Sequence, residues 1–234
     1  MQRQPNTAQS LVSADVVRRW DKAFEAGSDK RFPSLDLVRL EKWFFEGKPG
    51  RALDYGCGSG TNMIYLLESG YRVDGADSSS EALLLVERKL DERPDIRLRA
   101  ALKHIVADAV SLPYDDETFD NIICFSVLSL LGTRVRVDLL LREFQRVLRR
   151  GAKMIVDVNG PPSDFAKKGP RVDEETYEYS ETPGEPPILS YCPSNEERFQ
   201  ALLEPYFKVE DMGFIAHKYM GRENFEYLAC VSKS

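Results

Sequence analysis

One glycine cluster and three acidic side chains carry the chemistry that this chain's residues allow. Leu53-Asp54-Tyr55-Gly56-Cys57-Gly58-Ser59-Gly60 sets three glycines at alternate positions, with a carboxylate two residues before the first. Glycine tolerates positive φ and has no Cβ, so a ligand can lie against the backbone. A helix that starts beyond such a turn offers free N–H groups to that ligand. The spacing is not Gly-x-Gly-x-x-Gly, the turn that binds a pyrophosphate, and the phosphate loop Gly-x4-Gly-Lys-Ser/Thr is absent. Asp54 would repel a pyrophosphate and favours a ligand with positive charge. Taken alone, the turn also fits a purely structural bend.

Two further carboxylates stand where strands should end. Asp77 closes Val73-Asp74-Gly75-Ala76-Asp77, and Asp108 lies in Ala107-Asp108-Ala109, before Leu112-Pro113 and Phe119-Asp120. A carboxylate in the first place can accept two hydrogen bonds from ribose hydroxyls; capping the next helix is its structural alternative. Asp108 can accept from an adenine amino group while a backbone N–H serves a ring nitrogen.

These residues need a frame that brings strand ends together. Helices are expected over Asp15 to Ala26 and from Ser34 to Phe44, where Leu37, Leu40 and Phe44 recur at helical spacing. Strands are expected at Arg51–Tyr55, Tyr71–Ala76, His104–Ala107, Asn121–Phe125 and Ala152–Val158. Between them lie helices from Thr61 to Ser69, from a Ser78–Glu81 capping box to Pro94, and over Val137, Leu140, Leu141, Phe144 and Leu148. This alternation argues a parallel sheet with right-handed crossovers. Phe207–Tyr219 and Phe225–Val231 are separated by too few residues for a crossover, so they form a hairpin whose last strand is antiparallel. Residues 160–195 are rich in proline and acidic side chains, and read as a long insertion after strand five.

Composition narrows the function. The chain has 234 residues, 42% hydrophobic and 30% charged, which suits a folded α/β domain. Its net charge of −6 disfavours nucleic acid and anionic membranes as partners. No apolar run is long enough for a bilayer, and the polar first ten residues do not read as a secretory signal. A cytoplasmic location with reduced thiols is therefore expected for Cys57, Cys124, Cys192 and Cys230. With only His104 and His217, a Cys/His zinc site is not expected.

The motifs together resemble the class I S-adenosylmethionine-dependent methyltransferases. The resemblance rests on Leu53-Asp54-x-Gly56-Cys57-Gly58-x-Gly60, Val73-x-Gly75-x-Asp77-x-Ser79-x-Glu81, Asp108-Ala109-x-x-Leu112-Pro113-Tyr114, Phe119-Asp120 and Arg146-Val147-Leu148-Arg149-Arg150-Gly151. It implies a Rossmann-like, doubly wound sheet of seven strands, six parallel and the seventh antiparallel. Residues 1–48 would form a helical cap and 49–234 the methyltransferase domain, with 160–195 as a substrate lid. It further implies that Asp54, Gly56, Cys57, Gly58 and Gly60 surround the methionine part of the cofactor, S-adenosylmethionine. Asp77 would bind ribose, Ser78 would flank adenine, Asp108 and Ala109 would read its edge, and Phe125 and Ser126 would lie below the sulfonium. Trp20 and Arg39 lie in stretches similar to the openings of bacterial small-molecule and saccharide methyltransferases. There Trp20 would close over the site and Arg39 would meet the cofactor carboxylate.

The acceptor is less legible. No Asp/Asn-Pro-Pro-Tyr/Phe motif follows strand four, and Asn159-Gly160-Pro161-Pro162 reads as a turn after strand five. Asp157, Asn159 and His217 are the candidates for proton transfer, and His104 is expected at the opposite edge of the sheet. Tyr177, Tyr179, Tyr191 and Phe165 suit a lid over a ring-shaped acceptor, or else a solvated loop. The expected function is methyl transfer to a small molecule, at a hydroxyl of a saccharide or secondary metabolite. N-methylation of a small molecule or protein, a non-catalytic cofactor-binding module and a nicotinamide-dependent oxidoreductase are the rivals. A homodimer is compatible with all of them.

Overall fold

The computed structural model describes residues 11–106, 109–180 and 186–234. Its centre is a sheet of seven strands in the order β3-β2-β1-β4-β5-β9-β8. These are β1 (Arg51–Tyr55), β2 (Arg72–Asp77), β3 (Ala100–His104), β4 (Phe119–Cys124), β5 (Leu148–Asn159), β8 (Lys208–Tyr219) and β9 (Arg222–Ser232). Strands β1 to β5 pair in parallel, and β9 is antiparallel to both its neighbours, β5 and β8. The hairpin link is tighter than expected: Tyr219 pairs with Arg222, and Met220 and Gly221 both have positive φ, the two-residue turn whose twist matches paired strands.

Side-chain alternation splits the core between the two sheet faces. Leu53 and Tyr55 of β1 pack with Ile122, Met154 and α6 (Arg134–Val147). On that helix Val137, Leu140, Leu141 and Phe144 form one buried stripe. Ala52 packs on the other face, with Ile123, Ile155, α2 (Leu35–Trp43), α3 (Thr61–Glu68) and α4 (Ser80–Asp91). Asp54 alternates with Tyr55 and so faces α3, where it accepts a hydrogen bond from the Met63 backbone. Phe144 meets Tyr55 edge to face at 5.2 Å, and a buried ring of this kind is worth about 3–5 kcal/mol against alanine.

Several boundaries differ from the expectations. The third strand lies earlier in the chain, at Ala100–His104. Ala100-Ala101-Leu102-Lys103-His104 carries little strand signal; the strand forms by pairing with β2, from Val73 opposite Ala100 to Asp77 opposite His104. His104 therefore ends its strand, on the same sheet edge as Asp77, and its Nε2 lies 3.0 Å from the Ser78 carbonyl oxygen. The cap of α4 is Ser79, whose Oγ accepts from Ala82 N–H, so Ser78–Glu81 is not the box. Pro94 does not end that helix but opens a short one, α5 (Pro94–Arg97), as its missing N–H allows. Leu148 begins β5 rather than extending α6.

The described part of the insertion carries its own structure: α7 (Asp164–Lys167), then β6 (Thr176–Tyr179) paired antiparallel with β7 (Ile188–Tyr191). Phe165 stacks on Tyr179 at 4.3 Å. Tyr179 and Ile188 pack with Val12 and Val16, the latter on α1 (Ala14–Glu25). The N-terminal helix thus rests on the insertion. Tyr191 is fully buried and donates to Glu175 Oε2 at 2.9 Å.

Candidate active site

The parallel strands end at one sheet edge, where loops open toward their C-terminal ends as in other open α/β sheets. Here β1 turns through Gly56 to Gly60 into α3. Gly56 and Gly60 have φ of +73° and +79°, and a Cβ on Gly56 would stand 2.2 Å from Val127 Cγ2. Gly56 N–H and Cys57 N–H both donate to Ala76 O, which ties the turn to β2. Asp77, at the end of β2, accepts from Gly58 N–H at 2.8 Å and from Ser79 N–H at 2.9 Å. Ser79 Oγ then donates to Asp21 Oδ1 at 2.6 Å, which fixes α1 beside the turn.

A cavity of about 710 Å³ lies over this edge. Of the expected residues, Trp20, Arg39, Gly56, Cys57, Gly58, Asp77, Ser78, Phe125, Asp157 and His217 line it. Asp54 and Gly60 stand behind the wall as supports. Ala109 packs against the core, its carbonyl accepting from Leu11 N–H. Asn159 is buried beside the cavity, giving its N–H to Ser129 Oγ and its amide to Asn224 Oδ1. Asp108 lies outside the described residues. The described part of the insertion, Tyr177, Tyr179, Tyr191 and Phe165 included, contributes no wall residue; the wall opposite the sheet comes from α1 and the segment through Lys30 to Arg39.

Electrostatics single out three carboxyls. Asp54 is 2% exposed and its Oδ2 has no hydrogen-bond partner. Burial, then the nearby Asp77, push its carboxyl up to about 7. Burial also raises Asp77, against the pull of its backbone N–H partners. Asp157 accepts from Ser126 N–H at 2.6 Å. Burial first, and Glu226 second, hold its carboxyl well above the usual range. Buried carboxyls with unspent accepting capacity suit a cationic or hydrogen-bond-donating ligand. The cradle therefore fits an adenosyl sulfonium by its chemistry: a turn free of side chains, a two-oxygen acceptor at Asp77 and a partnerless carboxyl oxygen of Asp54 behind the turn.

Sequence reasoning missed Glu226, Asp36, Lys30 and Phe24, which also line the cavity. Glu226 did leave a signal: Asn224 and Glu226 alternate with aromatic residues on a strand whose continuation, Leu228 and Cys230, is apolar. Phe24 and Lys30 left none, because only the fold brings the N-terminal segment over the turn.

Comparison with known proteins adds the decisive observation. Residues 53–156, from β1 into β5, match the family described as methyltransferase domain. Over that span the chain is similar to methyltransferase domains. A demethylmenaquinone methyltransferase of Clavibacter sepedonicus is 32% identical over 123 residues, which cover 51% of this chain and 45% of that one. A demethylmenaquinone methyltransferase of Alkalihalophilus pseudofirmus is 35% identical over 148 residues, 62% of this chain and 59% of that one. The chain thus spans about half of the first relative's length and under two thirds of the second's. Among solved structures, a SAM-dependent methyltransferase of Methanosarcina mazei shares the fold, with a TM-score of 0.65 at 23% identity, over 78% of this chain and 92% of that one. Among the described residues, no helix is long and apolar enough to cross a membrane, and no group of His, Cys, Asp and Glu could hold a metal ion.

Proposed function

We propose that the protein transfers a methyl group from S-adenosylmethionine to a small molecule, at a hydroxyl of a saccharide or secondary metabolite. The observation that carries this is the single cavity in which the glycine turn, Asp77 and Asp157 meet. When bound, the cofactor supplies a methyl group already activated by its sulfonium. Asp77 would hold the ribose hydroxyls, Asp54 and the turn would face the methionine part, and Phe125 would floor the reacting centre. Ser78 would border the adenine, with Trp20 and Arg39 closing from the N-terminal side. The protein's remaining task is to align an acceptor and take its proton. Asp157 supports that task better than the other two candidates, because it is buried in the cavity wall. His217 sits at the exposed rim and Asn159 points to Asn224.

The polar cavity wall around Asp157 supports a hydroxyl acceptor. Demethylmenaquinone, which the two relatives' names give as their acceptor, is the second compound to test. The experiment is incubation with methyl-labelled cofactor and a metabolite extract, then identification of the labelled product. A labelled hydroxyl compound supports the reading. A labelled amine moves it to N-methylation, and cofactor binding without any labelled product moves it to a non-catalytic module.

A further inference from the structure

Strands β5 and β9 pair with Asn159 opposite Glu226 and Asp157 opposite Leu228. Opposed residues share a sheet face, and so do residues two apart on one strand. Asp157 and Glu226 are therefore diagonal neighbours on one face, at a separation that long side chains can bridge. On β8, Ile215 stands opposite Glu226 and His217 opposite Asn224, which extends the same face. Asp157, Ile215, His217, Asn224 and Glu226 all line the cavity. Lys30, Asp36 and Arg39 face them from the N-terminal segment, with Asp36 and Arg39 paired at 3.6 Å. Asp77 lines the cavity from β2, and Ser126 supplies only its N–H. The pair thus sits inside a cavity that the glycine turn already makes a binding site.

We propose, resting on the methyltransferase reading, that Asp157 and Glu226 act together at the acceptor. Asp157 is the base that receives the acceptor's proton. Glu226 is a positioning residue that keeps the proton affinity of Asp157 high. A neighbouring carboxylate on the same sheet face disfavours ionisation of a buried carboxyl, so Glu226 adds to the effect of burial on Asp157. Lys30 pulls Asp157 toward ionisation, and Asp36 opposes it.

The step balances as follows. The acceptor O–H bond breaks toward an Asp157 oxygen as the O–CH₃ bond forms. The S–CH₃ bond breaks, and its electron pair stays on sulfur. The products are a methyl ether, a neutral thioether and a protonated Asp157. Carboxyl oxygens accept from donor groups, so this part of the wall suits an acceptor that presents a hydroxyl.

The test follows ¹³C-labelled aspartate carboxyl resonances of the full chain through pH, with Asp157→Asn used to assign Asp157. In the wild type, Asp157 titrates well above an ordinary aspartate. In Glu226→Gln its proton affinity falls at least about tenfold, one pH unit, while Glu226→Asp keeps it near the wild-type value. With any accepted substrate, the acid limb of the kcat profile moves the same way in Glu226→Gln. An Asp157 midpoint unchanged by Glu226→Gln, or an ordinary midpoint in the wild type, overturns the proposal. Calorimetry with S-adenosylhomocysteine separates the two claims. A wild type that binds none refutes the methyltransferase reading, whatever the pair does; variants that still bind it have kept their fold.

Discussion

Ser79→Ala tests how the N-terminal helix is tied to the cofactor edge. Ser79 is fully buried, and its Oγ has two partners: it accepts from Ala82 N–H at 3.1 Å and donates to Asp21 Oδ1 at 2.6 Å. Losing the cap costs about 1 kcal/mol, and losing a hydrogen bond to a charged group about 1.5–3 kcal/mol. The substitution should therefore destabilise the fold by roughly 2.5–4 kcal/mol, with Tm falling about 2–4 °C for each kcal/mol in a chain of this size. Asp21→Ala removes only the second bond, and it also removes a carboxylate that opposes ionisation of Asp77. Its cost should be smaller, below about 3 kcal/mol. Urea unfolding of both single variants and the double variant gives the coupling, expected at about 1 kcal/mol or more. Because α1 carries Trp20 and Phe24 into the cavity wall, Ser79→Ala should also weaken S-adenosylhomocysteine binding severalfold. Costs that add within about 0.5 kcal/mol, or unchanged cofactor affinity, would refute the reasoning that Ser79 anchors this helix over the site.

Two further outcomes follow from the same geometry. Asp54 has a folded-state carboxyl near 7 against an ordinary value of 3.8, so the folded state holds the proton more tightly than the unfolded chain. At acid pH no ionisation penalty is incurred, and stability then falls by up to about 1.4 kcal/mol per pH unit as pH rises through that window. Asp54→Asn should flatten this slope in urea unfolding series at pH 5 and pH 8; an unchanged slope would contradict the assignment. Gly60→Ala forces a side chain into positive φ and places a Cβ 2.8 Å from Val86 Cγ2. Left-handed strain of about 1–2 kcal/mol and overpacking of about 1–3 kcal/mol should together lower stability and abolish tight cofactor binding. Thermal melting and calorimetry check both, and a variant as stable as wild type would exclude the strained-turn account.

The parts of the fold that sequence reveals are those whose local chemistry agrees with the global answer. The β1 turn, α3 and the buried β4 are legible because glycine spacing and apolar runs leave one local solution. The terminal hairpin is legible from its short link. The third strand is not, because Ala100–His104 has little apolar signal and pairing with β2 creates it. That one displacement reverses the position of His104 in the sheet. The aromatics of the insertion were legible as a group but not in their destination. Tyr179 and Phe165 stack beneath α1, and Tyr191 is held by Glu175. The residues of the glycine turn are legible because they cluster in the sequence. Asp157 is legible as a strand-end carboxylate, but its neighbour Glu226 is not, because the two lie far apart in the chain and share a face only through antiparallel register.

Isothermal calorimetry with S-adenosylhomocysteine on wild type and Asp77→Ala examines the central claim most directly. The account predicts one site per chain with micromolar affinity. Binding should weaken at least about tenfold in Asp77→Ala, as expected when hydrogen bonds to a charged acceptor are lost. Wild-type protein that binds no S-adenosylhomocysteine, or an Asp77→Ala variant that binds it as tightly, would contradict it.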